Sequence, residues 1–216
     1  MRGIKIGEYH SADDWELILN SKTINPPTPK YVRVPVDGRD GDLDLSEALT
    51  GEIKYNDREA SFTFLLTNGS YSDREELIGE IINYVHGQRR DIILPDDTDH
   101  YLVGRCSVAD IHNDKAYGSI KITATCEPYR YSVNEVNRVI TATSTSTDVI
   151  LSNVGRKTVT PTLIIVGEVS LTFADTSVTL GAGTYKLSAL NLKAGQTIVS
   201  VKGSGTVTFN YREAIL

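Results

Sequence analysis

Residues 31–66 read YVRVPVDGRDGDLDLSEALTGEIKYNDREASFTFLL. Val32, Val34 and Val36 alternate with their neighbours, the pattern of a half-buried strand. Gly38 and Gly41 then break the chain inside a charged cluster, Asp37-Gly38-Arg39-Asp40-Gly41-Asp42. Leu43, Leu45 and Leu49 are expected to return it to the core. Ile53 and Tyr55, then Phe62, Phe64 and Leu66, alternate on either side of Asn56-Asp57-Arg58-Glu59. That arrangement predicts a hairpin whose turn uses Asn and Asp, which tolerate left-handed backbone best after Gly. The stretch has a strong structural pattern and no catalytic one.

The totals set bounds. The chain has 216 residues, 40% hydrophobic and 23% charged, ordinary values for a soluble globular protein of up to two domains. No run of about 18 apolar residues offers a membrane span. The first residues, MRGIKIGEYH, lack the apolar segment of a secretory signal, so nothing points to export. Cys106 and Cys126 lie on neighbouring strand-like runs and read as reduced core thiols. Net charge is −6, divided as −8 over residues 1–130 and +2 over 131–216. An acidic surface repels phosphate, which argues against sequence-independent nucleic-acid binding.

Composition changes near residue 130. Aromatics, Asp, Arg and most prolines precede it; Thr, Ser, Val and Gly follow. We place a domain boundary there, giving domains 1–130 and 131–216. One helix is signalled: Ser72 and Glu75 have capping-box spacing, and Leu77, Ile78, Ile81, Ile82 and Val85 follow with helical period before Gly87. Burying those five side chains contributes roughly 7–15 kcal/mol before entropy, so the helix is expected to pack on a sheet. His86 at its end would suit the dipole as a cation. Trp15, Leu17 and Leu19 alternate, which favours a strand there over a short helix. Further strands are expected at 91–94, 101–108 and 120–126, with turns at Pro95–Asp99 and Asn113–Lys115. The Ser/Thr tract 141–147 reads as a solvated loop or short strand. The second half has short strand patterns punctuated by Gly, the signature of an antiparallel sandwich. Within it, Gly181-Ala182-Gly183 reads as a hairpin and Gly203-Ser204-Gly205 as a turn. The fold class is mainly β (α+β) with one helix.

Catalytic and metal patterns fail when tested. Starting a calcium loop at Asp40 puts Leu45 at the position that needs Gly, and Gly51 where Glu belongs; starting at Asp37 puts Arg39 at a ligand position. His10, His86, His100 and His112 lack metal-ligand spacing. No nucleophile elbow, P-loop or dinucleotide fingerprint occurs. No enzyme activity, cofactor or metal is expected. Exposed aromatics in the second half would suit sugar binding, but Phe209 and Tyr211 share one strand face and fit a core equally well.

The chain resembles the distal tail proteins of long-tailed phages and prophages of Gram-positive bacteria. Three blocks carry the resemblance: VPVDGRDGDLDLSEALTG followed by KYNDREASFTF; the helix with the 91–94 strand, HYLVGRCSV and the run ending in Cys126-Glu127-Pro128-Tyr129; and Ser152-Asn153-Val154-Gly155 with Pro161, leading to KGSGTVTFNYREAIL. The resemblance implies an N-terminal tail-tube-like β barrel or sheet domain with one helix and a C-terminal galectin-like β-sandwich. It implies a homo-hexameric ring joining the tail tube protein to the tail-tip or baseplate proteins. The ring's outer domains would serve as a docking platform for tip or receptor-binding proteins. The protein would be made in the bacterial cytoplasm and end in the virion, with DNA only passing through the channel and no membrane contact. The acidic first half suits such a channel. The loop with Asp37, Arg39, Asp40 and Asp42 carries both charge signs on a protruding turn. We therefore assign Arg39, Asp40, Asp42 and Arg58 as candidate subunit contacts. The alternatives are a carbohydrate-binding module for host glycans, and the equivalent hub of a phage-derived injection device.

Overall fold

A computed structural model describes residues 3–216. The chain is mainly β, with one helix among the described residues, and divides into two compact units, up to Arg130 and from Tyr131 to Leu216.

The first unit is an antiparallel sheet with a helix packed on it. Its strands are β1 (Lys5–Ile6), β2 (Tyr9–His10), β3 (Ile18–Ile24), β4 (Arg33–Val34), β5 (Leu43–Asp44), β6 (Arg58–Leu66), β7 (Arg89–Leu94), β8 (Asp97–Asn113) and β9 (Gly118–Cys126). The main sheet runs β2-β1-β7-β8-β9-β6-β3, while β4 and β5 pair only with each other. Strict alternation along β6 and β9 points Phe62, Phe64, Leu66, Ile120, Ile122 and Cys126 inward, where they meet Ile4, Ile6, Ile92 and Leu102. The same parity carries Ala60 and Arg58 inward. Helix α1 (Tyr71–Val85) covers this core with Ile78, Ile81 and Val85, flanked by the half-buried Leu77 and Ile82.

Several local expectations are corrected. The helix is capped two residues earlier than Ser72 and Glu75 imply. The Ser70 hydroxyl accepts from Asp73 N–H (3.3 Å) and Asp73 Oδ2 accepts from Ser70 N–H (2.8 Å), a closed capping box that lets Tyr71 and Ser72 join the first turn. His86 is the C-cap of the helix, and its Nδ1 accepts from Val108 N–H at 3.1 Å. Trp15 and Leu17 are buried but precede β3, because Glu16 adopts φ +53° and turns the chain first. No hairpin joins residues 53–55 to 62–66: Tyr55 bridges Pro29, and β6 pairs with β3 and β9 instead.

The second unit contains β11 (Val136–Thr141), β12 (Thr147–Asn153), β13 (Thr162–Phe173), β14 (Thr176–Leu180), β15 (Gly183–Lys186) and β16 (Gly195–Tyr211), after β10 (Arg130–Ser132) and before β17 (Ala214–Ile215). Two long strands, β13 and β16, pair over eleven positions and run through both halves of one folded sheet. One half lies as β11-β16-β13-β15, the other as β12-β16-β13-β14. On these two strands the inward positions are odd-numbered: Leu163, Ile165, Val169, Leu171 and Phe173 on β13, and Val199, Val201, Val207, Phe209 and Tyr211 on β16. At the bend those inward places hold Gly167, Gly203 and Gly205. A Cβ on Gly205 would lie 2.1 Å from Val166 O, and one on Gly203 2.3 Å from Glu168 O. The two backbones cross too closely for any side chain there. Gly203-Ser204-Gly205 is thus the middle of a strand, not a turn. Gly181-Ala182-Gly183 is not a hairpin either, since β14 and β15 lie end to end along the same edge of β13.

Asn153, from the Ser152–Gly155 block, is buried and fully satisfied. Its Nδ2 donates to Lys157 O and Leu192 O (both 2.9 Å), and its Oδ1 accepts from Gly155 N–H (3.0 Å). Gly155 has no room for a side chain against Ala214 O, 2.3 Å from where its Cβ would stand.

Candidate assembly surface

Between β3 and β6 the chain leaves the sheet as an arm. At its root Pro29 bridges Tyr55, Lys30 N–H donates to Lys54 O (2.7 Å), and Asn56 N–H donates to Thr28 O (2.8 Å). Midway, β4 pairs with β5, Leu45 N–H donates to Val32 O (2.8 Å), and Val32 N–H donates to the Ser46 hydroxyl (2.9 Å). Ser46 N–H also donates to Asp44 Oδ1 (2.9 Å), and Ser46's hydrogen bonds hold the Asp44 carboxyl below the usual carboxylate range. At the tip Arg39 N–H closes a turn onto Val36 O, with Gly38 at φ +79° and Gly41 at φ +72°. Those angles suit Gly.

The apolar residues of this arm do not enter the core, as their alternation predicts they should. From Tyr31 to Thr50 every residue except Ser46 is exposed, Leu49 at 97%. Val32, Val34, Val36, Leu43 and Leu45 are all uncovered. The alternation is real, but two strands of two residues make no layer to bury it against. Val32, Leu45, Ala48 and Leu49 line a shallow hollow edged by Lys30 and Lys54. Contiguous uncovered apolar surface of this kind marks a contact site on a folded protein.

Arg39, Asp40 and Asp42 stand together at the exposed tip. Among the described residues their side chains make no hydrogen bond or ion pair. Arg58 is elsewhere. It is 5% exposed at the first inward position of β6, donates to Pro128 O (2.6 Å), and is pushed below its usual guanidinium pKa by burial and then by neighbouring Arg130. It ties the start of β6 to the segment after β9, and in the same stretches the Tyr55 ring meets Tyr129 edge-on at 6.1 Å. Its place as a surface contact is therefore corrected. The inward parity of residues 58–66 was the signal available for this.

A second buried arginine escaped the sequence reading altogether. Arg74, 3% exposed in the first turn of α1, donates to Asn113 Oδ1 (2.9 Å), Gly69 O (2.7 Å) and Asp114 O (2.6 Å). It ties the helix start to the β8–β9 turn. It holds the first place on the inward stripe, four residues before Ile78 and seven before Ile81, so helical period was the signal available for it.

No protein-family model matches the sequence, and no curated protein is significantly similar to it. Its fold, however, is shared with a solved phage protein. One solved structure with this fold is the Dit protein of phage SPP1, described as a paradigm of the hub adsorption apparatus in phages that infect Gram-positive bacteria. It matches with a TM-score of 0.71 over 98% of this chain and 99% of that one, at 15% sequence identity.

Proposed function

We propose that this chain is a structural virion protein: a ring-forming hub that joins the phage tail tube to the tail tip or baseplate and offers a platform to tip or receptor-binding proteins. The observation that carries this reading is the fold match, which spans both units from end to end with a phage hub protein. The arm supports self-association. It displays six aliphatic side chains and a tip with both charge signs, which its own unit leaves uncovered. Six copies around an axis would place the acidic units, −8 each, around a channel that DNA passes without adhering. The work is contact rather than chemistry, and the protein's place is the tail tip of a virion assembled in the bacterial cytoplasm.

Glycan binding by the second unit has less support. Sugar platforms need an exposed aromatic ring. The unit's five aromatics are Tyr131, Phe173, Tyr185, Phe209 and Tyr211, and none of them is exposed.

Native mass spectrometry of the purified protein, with negative-stain imaging down the symmetry axis, tests the proposal. A closed six-copy ring is expected. A monomer at every concentration, together with absence of the protein from purified tails, would overturn it.

A further inference from the structure

Away from the arm, three aromatic rings converge where the β1–β2 hairpin meets α1. Tyr9 stacks on Trp15, with centroids 5.4 Å apart and planes 12° apart, and Tyr84 stands edge-on to both at 4.6 and 5.9 Å. The cluster is held rigidly. The Tyr84 hydroxyl accepts from Glu8 N–H (2.9 Å), and a Cβ on Gly7, at φ +62°, would collide with it at 2.5 Å. One face of Tyr84 already carries a guanidinium: Arg90 lies 4.0 Å from its centroid and donates to Tyr84 O (2.9 Å). The three rings also line a cleft with Glu80 and Asn83. Tyr9 is 42% exposed. Glu80 sits on the exposed face of α1, four residues before Tyr84, and has no ion pair among the described residues.

We infer that this cleft is a binding site for an arginine side chain presented by another polypeptide. An exposed aromatic ring such as Tyr9 attracts a cation, a planar guanidinium stacks on it better than an ammonium does, and a carboxylate beside it accepts the paired N–H donors. The −8 charge of the unit favours the same sign of ligand. Arg90 shows that the cluster accommodates a guanidinium. The inference is independent of ring formation.

The chain's single tryptophan, Trp15, makes the site readable in the intact protein. Nα-acetyl-arginine amide is titrated against tryptophan emission, with sodium chloride at matched ionic strength and Nα-acetyl-lysine amide as comparisons. The expected result is a saturable change with the arginine probe, at least threefold tighter than with the lysine probe. Its midpoint should weaken at least threefold in Glu80→Gln and in Tyr9→Leu, with circular dichroism confirming that both variants are folded. A non-saturating response equal to that of salt overturns the inference. So does an unchanged midpoint in the folded Glu80→Gln variant, or equal binding of the two probes.

Discussion

At the scale of single residues, the buried polar groups separate into those that secure the fold and those that stay silent. The two cysteines are silent. Burial pushes the Cys106 thiol up to about 11 and the Cys126 thiol up to about 12. In native protein at pH 8 neither thiol should react with a disulfide reagent, and both should react at once after denaturation; a fast native phase would contradict their placement. Asp73 acts through the helix cap. Hydrogen bonds from Ser70 hold its carboxyl below the usual carboxylate value of 3.8. A depressed folded pKa means the contribution is present above the unfolded value and is lost as pH falls through the folded one. Stability should therefore decline below about pH 4 more steeply in the parent than in Asp73→Asn. Denaturation midpoints between pH 2.5 and 6 would show it. Arg58 and Arg74 explain why residue-level function was only partly legible. A charged residue normally signals surface, and that rule holds for Arg39 and Asp40 but fails where strand parity or a helix start draws a guanidinium inside. The aromatic cleft was invisible for another reason, since Tyr9, Trp15 and Tyr84 are far apart in sequence.

Among elements, the arm and the bent strands make opposite demands. Leu45→Asp with Leu49→Asp should leave the monomer's thermal midpoint unchanged within about 2 °C, because neither side chain is buried in the free chain. The same pair should abolish association measured by sedimentation. Reversing Arg39 to Glu should weaken association without unfolding the chain. Gly205→Val should act the other way: its side chain has no space beside Val166 O, so the second unit should lose at least about 3 kcal/mol or fail to fold, as urea denaturation would report. Period-two alternation was a sound guide wherever a strand had neighbours on both sides, as in β6 and β9. It misled in the arm, where the same pattern has no layer above it. Glycine was the least legible signal. At Gly38 and Gly41 it turns the chain, whereas at Gly167, Gly203 and Gly205 it lets two strands touch, and only strand pairing distinguishes the cases.

For the molecule as a whole, the mainly β class with a single helix was legible from pattern alone, and the likeness to phage hubs lay in the order of several weak blocks rather than in any one of them. Assembly should respond to salt in a way that reveals its driving force. If the aliphatic arm dominates, raising sodium chloride from about 50 to 500 mM screens the repulsion between acidic units and strengthens association. Weakening instead would assign the main contribution to Arg39 and its acidic neighbours. The shared strands of the second unit carry a mechanical consequence. Because β13 and β16 belong to both layers, there is no seam along which the layers could peel apart. Pulling on one layer loads the crease, a stretch of paired backbone whose inward places are glycines. Such a body should yield all at once rather than leaf by leaf.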